Sequence, residues 1–448
     1  MLGLARQGVA LARYLAEAGA RVLVTDQKPA ERLEDQMAAL SDLPIEYVLG
    51  GHPESVLDGA DLLCLTGGAP LSLPLAQAAI ERGIPLSNDS QIFLENVPKG
   101  VKVIGITGSS GKTTTTTLVG RMSAAADEER GTRTFVGGNI GRPLIADLAW
   151  LEKDDTVVME LSSFQLEIMT RSPHVAAVLN VTPNHLDRHR TLEAYTAAKA
   201  RILTNQVPGD IVVLGRDDAG ARALAPLARG RVAYFSAEGA VDEGAFLDGE
   251  ELKVRTAGQT QTAAALTDIA LRGRHNLLNA LAACAIGQAA GLPPEAMRAG
   301  LAGFAGVEHR LELVRERDGV RWYNDSIATA PERVIAALRS FDEQIVLLLG
   351  GRDKQLPWEE LARLVTERVK AAVLFGEAGP LIEAALSAAG VPAERRPRYD
   401  RLVEALPAAA ALAEPGDVVL LAPGATGFDE FHDFAERGER FREWVRQL

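Results

Sequence analysis

Residues 101–122, VKVIGITGSSGKTTTTTLVGRM, constrain the fold more than any other stretch: an apolar strand runs into a Gly/Ser turn, and a helix opens at Lys112. Such a turn aims successive backbone N–H groups at phosphate oxygens, while the lysine reaches the β and γ phosphates and the hydroxyl of Thr113 is offered to Mg²⁺. The pattern G-x-x-x-x-G-K-[ST] is not met literally, because Gly105 lies one position too early and Ile106 stands where Gly is required. What remains is the compact run TGSSGKTT, with Gly108, Ser109, Ser110, Gly111, Lys112, Thr113 and Thr114 as the predicted phosphate cradle. ATP is the ligand it predicts.

Around this unit, short apolar runs (ARVLVTD, DTVVMEL, VAAVLNVT, DIVVLG, QIVLLLGG, AAVLFGEAG, DVVLLAPGA) alternate with helical patterns almost from end to end. That alternation predicts an α/β chain of βα units with mainly parallel sheets, whose ligands sit at the carboxyl ends of the strands. At about 150 residues per domain, 448 residues make roughly three domains. Breaks at Pro98–Gly100 and near Gly306 predict domains over 1–97, 98–307 and 308–448. Between Phe235 and Leu271 the pattern shortens, and Asp248-Gly249 is a hairpin signal that predicts a small antiparallel element in the middle domain.

Charge narrows the ligands further. With 47 basic and 60 acidic residues the net charge is −13, which opposes loose binding to nucleic acid or anionic membrane, so phosphate must be gripped locally. The two cysteines, Cys64 and Cys284, lie in apolar stretches and exclude a disulfide framework, which fits a cytoplasmic protein. No apolar run spans a membrane, and no heptad tract appears, so a soluble monomer is expected.

Downstream of the loop, Glu160 ends the strand-like DTVVME, where a metal-holding carboxylate belongs; by itself a Glu there also serves as a helix-start charge. NVTPNHLDRH places His185 and His189 four apart, but without the Glu of H-E-x-x-H a zinc pair is disfavoured against a Mg²⁺ or substrate contact. Lys199 falls on a predicted helix and reads, alone, as a solvated surface lysine. Asn276 and Asn279 share a helix face and either bind a purine or solvate the helix. Arg310 is suited to transferring charge and Asp325 to ribose hydroxyls, although each reads equally as a surface ion pair; Thr329 follows closely, and Lys354 comes after a strand end.

At the N-terminus, Gly3, Gly8 and Asp26 resemble a Rossmann turn with its ribose-binding carboxylate, but Ala5 replaces the second glycine of G-x-G-x-x-G. A nucleotide-sugar site is therefore preferred over NAD. Only Met1 and Leu2 precede Gly3, which predicts a nearly absent first strand and a weakened edge; a start placed too late would leave this pattern.

Taken in order, GLARQG with Asp26, TGSSGKTT, GGNIG, ELSSFQLE, NVTPNHLDRH, AAKARI, HNLLNALAA, EHRLE, NDSIAT, GGRDK and APGATGFDEF resemble the Mur ligase family over nearly the whole chain. The resemblance implies three domains: a Rossmann-like N-terminal domain for a UDP-sugar, a central P-loop ATPase-type parallel sheet, and a Rossmann-like C-terminal domain for the amino acid. It implies UDP-N-acetylmuramoyl-L-alanine and glutamate as substrates, joined in peptidoglycan synthesis through an acyl phosphate. Lys112 would hold the β and γ phosphates, Thr113 and Glu160 a first Mg²⁺, and His185 and Lys199 a second, with Lys199 as a CO₂-derived carbamate. Arg6, Gln7, Asp26, Gly68 and Asn139 would contact the UDP-sugar. Asn276, Asn279, Arg310 and Asp325 would bind ATP, and Thr329, Lys354, Thr426 and Phe434 would receive glutamate.

Three positions depart from the family pattern. Ser110 stands for the usual Asn of the loop, a small change because the backbone does most of the phosphate binding. Ile327 stands for the Lys that commonly follows NDS, and Gly427 for a Ser, with Thr426 adjacent. Both fall in the acceptor pocket, which leaves L-glutamate or another amino acid as the alternative acceptor to D-glutamate. A noncatalytic nucleotide-binding relative is a further alternative, opposed by the presence of Glu160, His185 and Lys199.

Overall fold

The computed structural model describes residues 1–448 except Gly68, Ala270, Leu271, Arg272, Ala305 and Gln355, and except the side chains of Leu186 and Asp187. The chain divides into two compact units, 1–304 and 305–448.

The first unit begins with four short strands, β1 (Val22–Asp26), β2 (Ile45–Leu49), β3 (Leu63–Cys64) and β4 (Leu86–Ser87), paired in parallel as β1–β2 and β3–β4. Leu2 bridges Thr25 on one side and Leu65 on the other. Leu2 N–H donates to the Cys64 carbonyl and Gly3 N–H to that of Thr25, each at 2.8 Å, so these adjacent residues join the two strand pairs. The helix Arg6–Glu17 follows directly, burying Leu11 and Ala12.

The larger sheet of this unit comprises β5 (Lys102–Thr107), β6 (Thr134–Gly138), β7 (Thr156–Glu160), β8 (Val175–Val178), β9 (Ile211–Gly215), β10 (Arg231–Ser236), β11 (Gly244–Asp248), β12 (Glu251–Thr256) and β13 (Gln259–Ala265). The order is β13-β12-β11-β10-β9-β8-β5-β7-β6, parallel from β6 through β11. The parallel strands β5, β7, β8 and β9 are short, mostly apolar and almost wholly buried, as central strands of parallel sheets are, whereas β12 and β13 are more polar and partly exposed. The hairpin expected at Asp248-Gly249 forms between β11 and β12, and β13 adds a second antiparallel pairing. It is a continuation of the main sheet, since β11 also pairs in parallel with β10.

The second unit is a five-stranded sheet of β14 (Glu312–Arg317), β15 (Val320–Asn324), β16 (Ile345–Gly350), β17 (Val369–Phe375) and β18 (Val418–Gly424), in the order β14-β15-β18-β16-β17 with only β14 antiparallel. Alternation along β16 separates two cores: Ile345, Leu347 and Leu349 pack with Val334, Leu361 and Ile382 on one face, while Val346 and Leu348 pack with Leu406 and Phe441 on the other. Both faces of this sheet are thus buried, as in doubly wound folds. No described helix is long and apolar enough to cross a membrane.

Leu347 is fully buried in the first of these cores. Its replacement by Ala is expected to lower the unfolding free energy by about 2–5 kcal/mol in urea titration, the usual cost of a large-to-small change at a packed site; a loss below about 1 kcal/mol would contradict the packing.

Candidate active site

The carboxyl end of β5 delivers residues 107–112 onto the start of the helix Lys112–Arg130. Gly111 sits at the helix N-cap with φ +81°, a left-handed conformation that favours glycine, and a Cβ there would collide with Asn279 Oδ1. The loop is held by Asn180 at the end of the neighbouring β8: its Oδ1 accepts from Ser110 N–H at 2.9 Å, and Ser109 N–H donates to its carbonyl at 3.0 Å. Ser109 Oγ donates to the Thr182 carbonyl at 2.9 Å.

Lys112 Nζ folds back to donate to the Gly108 carbonyl at 2.9 Å. Lys199 Nζ donates to the same carbonyl, also at 2.9 Å, and to Thr107 Oγ1 at 3.3 Å. Lys199 is 1% exposed, against the solvated position its helix alone predicts. The helix Leu192–Thr204 packs its Tyr195 face inward, and tertiary packing, invisible in local composition, takes the lysine with it. Burial first, then the Lys112 charge, push the Lys199 amine well below its ordinary range, while Glu160 pulls the other way.

Glu160, at the end of β7, is 2% exposed. Its Oε1 accepts from Asn139 Nδ2 at 2.9 Å, and Asn139 N–H also donates to its backbone carbonyl. Its Oε2 is buried without a hydrogen-bond partner among the described residues. A buried carboxylate oxygen left unpaired costs about 1–3 kcal/mol, so the site is complete only with a cation or donor there. Thr113 is nearly buried at the adjacent helix start. Among the described residues no group of three or more His, Cys, Asp or Glu side chains forms a metal cage. A hard cation here takes one carboxylate, a hydroxyl and phosphate oxygens, the donor set suited to Mg²⁺.

His185 is exposed, with φ +53°, and its ring meets the edge of Phe164 at 5.1 Å. The other member of the expected pair, His189, is buried, stacks on Phe164 at 5.3 Å and faces Ser163 Oγ at 2.9 Å. Phe164 and His189 line a polar cavity of about 500 Å³ with Ser72, Arg188 and Arg190. Asn276 Oδ1 accepts from Asn279 Nδ2 at 3.3 Å, and Asn279 lines a second cavity of about 370 Å³ with Gly111, Asn180, Asp217, Phe235 and His275. Its place beside the phosphate loop and its aromatic wall fit a nucleoside.

The N-terminal candidates have structural partners. Asp26 accepts from Leu4 N–H at 2.8 Å and Lys28 N–H at 2.9 Å, fixing the first turn. Arg6 is exposed at the helix start, and Gln7 Nε2 lies 3.5 Å from the Gly138 carbonyl. Gly68 lies outside the described residues.

In the second unit Asp325 is 5% exposed and accepts from Leu311 N–H at 3.1 Å. Burial pushes its carboxyl up to about 7, with the Leu311 hydrogen bond, Arg310 and Arg333 opposing. Lys354 Nζ donates to Thr329 Oγ1 at 3.2 Å, so the structure brings these two together. Thr426 pairs with Arg352, its Oγ1 donating to that carbonyl at 2.9 Å. The exposed Phe434 meets the His309 ring at 6.2 Å.

Sequence reasoning missed two groups. Tyr195 is 1% exposed, donates to Ser109 Oγ at 3.1 Å, and its ring lies 4.6 Å from Lys199 Nζ. Its signal was the i, i+4 spacing from Lys199. Arg437 is completely buried, bonded to the Ser326 and Ala425 carbonyls, and no local pattern announces that.

Comparison with known proteins agrees with this geometry. The Mur ligase middle domain model matches residues 106–287, the Mur ligase glutamate ligase domain 309–424, and the Mur ligase MurD-like N-terminal domain 1–88. The chain belongs to the Mur ligase family. A UDP-N-acetylmuramoylalanine–D-glutamate ligase of Symbiobacterium thermophilum is 43% identical, covering 100% of this chain and 97% of its own. One from Anaeromyxobacter dehalogenans is 42% identical, covering 99% and 96%. Among solved structures, UDP-N-acetylmuramate-alanine ligase of Thermotoga maritima aligns with TM-score 0.57 at 20% identity over 100% of this chain and 98% of that one, a likeness of fold.

The raised Asp325 carboxyl has a pH consequence. An acid whose folded value, about 7, lies above its ordinary 3.8 stabilises the fold fully below about pH 4, and that contribution is lost as pH rises through 7. Asp325→Asn, which keeps an acceptor for Leu311, should therefore gain on the wild type by an amount that grows from pH 4 to 7, reaching the order of a few kcal/mol, and then levels off. A pH-independent difference in urea midpoints would contradict this.

Proposed function

We propose that this protein is an ADP-forming ligase that joins D-glutamate to UDP-N-acetylmuramoyl-L-alanine in peptidoglycan precursor synthesis. The observation that carries the reading is the convergence of Lys112, Lys199 and the half-paired Glu160 carboxylate at the phosphate loop. The relatives bearing this activity in their names support the substrate assignment.

The alanyl carboxylate of the UDP-sugar attacks the γ-phosphorus of ATP, and the bond to the bridging oxygen breaks to release ADP. The amine of glutamate then attacks the acyl carbon, loses a proton and expels phosphate. Both steps bring anions together, so the protein's work is neutralisation and positioning rather than nucleophilic attack. Loop N–H groups 108–114 hold the phosphates, and Lys112 leaves its own loop carbonyl for the β and γ oxygens. Thr113 and Glu160 would hold a first Mg²⁺, His185 and Lys199 a second; the ions would neutralise phosphate charge. Tyr195, at the loop hydroxyl of Ser109, keeps the cradle in place. Asn276, Asn279, Arg310 and Asp325 would take the nucleoside, and Arg6, Gln7, Asp26 and Asn139 the UDP-sugar.

Burial favours the neutral amine of Lys199, which is the form that adds CO₂: an N–C bond forms, a proton leaves, and a carboxylate results. This carbamate would turn a cation beside Glu160 into a metal ligand. The domain limits proposed are 97/98 and 307/308, for a cytoplasmic monomer; two buried free cysteines support a reducing compartment. A second reading keeps the chemistry and changes the acceptor to L-glutamate, favoured by Ile327 and Gly427 in the acceptor pocket.

The test is phosphate release from ATP with UDP-N-acetylmuramoyl-L-alanine, comparing D-glutamate, L-glutamate and no amino acid. Turnover with D-glutamate alone is expected, and Lys112→Ala should reduce it by at least about 10²-fold, the scale for losing a transition-state charge contact. Turnover surviving that change would refute the phosphate-loop assignment, and preference for L-glutamate would establish the second reading.

Lys199→Ala should be similarly inactive and partly restored by millimolar acetate or formate, because a small carboxylate replaces the carbamate. Full activity without added carboxylate would refute a metal-binding role for residue 199.

A further inference from the structure

The helix Pro331–Leu338 opens immediately after Thr329 and carries Arg333 in its first turn. Arg333 Nη1 donates to the Ile327 carbonyl at 3.2 Å, so the guanidinium folds back over the loop that bears Thr329. Lys354 Nζ comes to the same loop from beyond β16, donating to Thr329 Oγ1 at 3.2 Å. Behind them lies Arg437, fully buried and held by neutral oxygens: Ser326 Oγ at 3.0 Å, the Ser326 carbonyl at 2.9 Å and the Ala425 carbonyl at 3.1 Å.

Among the described residues, none of these three cations has a carboxylate within 4.0 Å, unlike Arg352 and Arg442 of the same unit but like Arg315, Arg368 and Arg395, which bond to carbonyls. Asp325 and Glu332 act on Arg333 and Lys354 from a distance and Asp429 and Asp433 on Arg437, while Arg333 and Arg437 add to burial in depressing the Lys354 ammonium. Arg333 and Lys354 bring two like charges to one loop with no carboxylate in contact among the described residues, and their repulsion is offset when an anion binds.

We infer that Arg333 and Lys354 together form a two-cation clamp for the side-chain carboxylate of a dicarboxylic acceptor, with Arg437 as a positioning residue that pins loops 324–327 and 425–427. The inference rests on the ligase reading for Lys354 and Thr329 as acceptor contacts, and adds Arg333 as the group that selects a second carboxylate. The guanidinium capping the backbone of Ile327 places on the helix a charge that residue 327 itself lacks.

The experiment compares wild type, Arg333→Ala and the double variant Arg333→Ala/Ile327→Lys. Arg333 is exposed and Ala is a strong helix former, so the single variant keeps the fold. The KM for glutamate should rise about tenfold in Arg333→Ala, as for loss of a charge-assisted contact, with kcat and the KM for ATP within about twofold. The double variant, with a cation restored at the same backbone position, should recover most of the loss. An unchanged glutamate KM, or equal damage to the ATP KM, overturns the clamp.

A binding arm separates this from the ligase reading. Glutarate, but not butyrate, should raise the Tm of the wild type and not of Arg333→Ala. If no glutamate is turned over but this difference is seen, the ligase reading fails and the clamp stands; if glutarate has no effect on the wild type and the KM is unmoved, the clamp fails.

Discussion

One carbonyl organises the first unit. The Gly108 oxygen accepts from both Lys112 and Lys199 at 2.9 Å, which holds a part-buried and a buried amine at one atom. Two like charges at one oxygen disfavour each other, and loss of a proton or a bound anion relieves the repulsion. Burial first, then the Lys112 charge, push the Lys199 amine toward its neutral form. Glu160 closes the arrangement from β7, where one oxygen is fixed by Asn139 and the other stays unpaired. The surrounding sheet makes this strain sustainable: β5, β7 and β8 are consecutive in its order, and their carboxyl ends supply residue 108, Glu160 and Asn180 from rigid backbone.

What the sequence disclosed follows the range of the interactions involved. The phosphate loop was legible despite its failed pattern match, because strand, turn and helix start lie within 22 consecutive residues and each needs only local chemistry. The hairpin at Asp248-Gly249 was legible for the same reason. Lys199 was not: its helix has an unremarkable composition, and only packing against β5 and β8 decides that this lysine is buried. Tyr195 was hidden likewise, although its i, i+4 spacing from Lys199 was in view. The Asp26 carboxylate looked like a ribose ligand and also proves to be a clamp on the Leu4 and Lys28 amides, a role that depends on how the Gly3 turn closes. Local pattern did not disclose that residues 1–3 would bridge β1 and the segment after β3.

In the second unit the balance is different. Its sheet is buried on both faces, with β16 and β18 lined by aliphatic side chains that leave no polar group to satisfy. That surplus of apolar burial lets the loops at the strand ends carry unfavourable features. Asp325 is buried beyond the point where a carboxylate ionises freely, and Arg437 is buried deeply enough for its guanidinium to fall to about 10. Replacing Arg437 by an apolar side chain would remove the desolvation cost but orphan the Ser326 and Ala425 carbonyls, so the buried charge is better understood as a fastener than as a source of stability.

The whole-chain charge of −13 sets the terms on which anionic substrates approach. At physiological salt the Debye length is about 8 Å, so the excess of acidic groups across the surface is screened and the field at each loop is decided by the side chains that reach it. At the phosphate loop those are Lys112 and the backbone amides; at the end of β15 they are Arg333, Lys354 and Arg437. The acidic exterior therefore discourages polyanions that need an extended basic surface, while small anions that fit one loop still meet concentrated positive charge. The positive charge that remains is grouped in clusters a few residues wide, the scale of a small anion rather than of an extended polyanion.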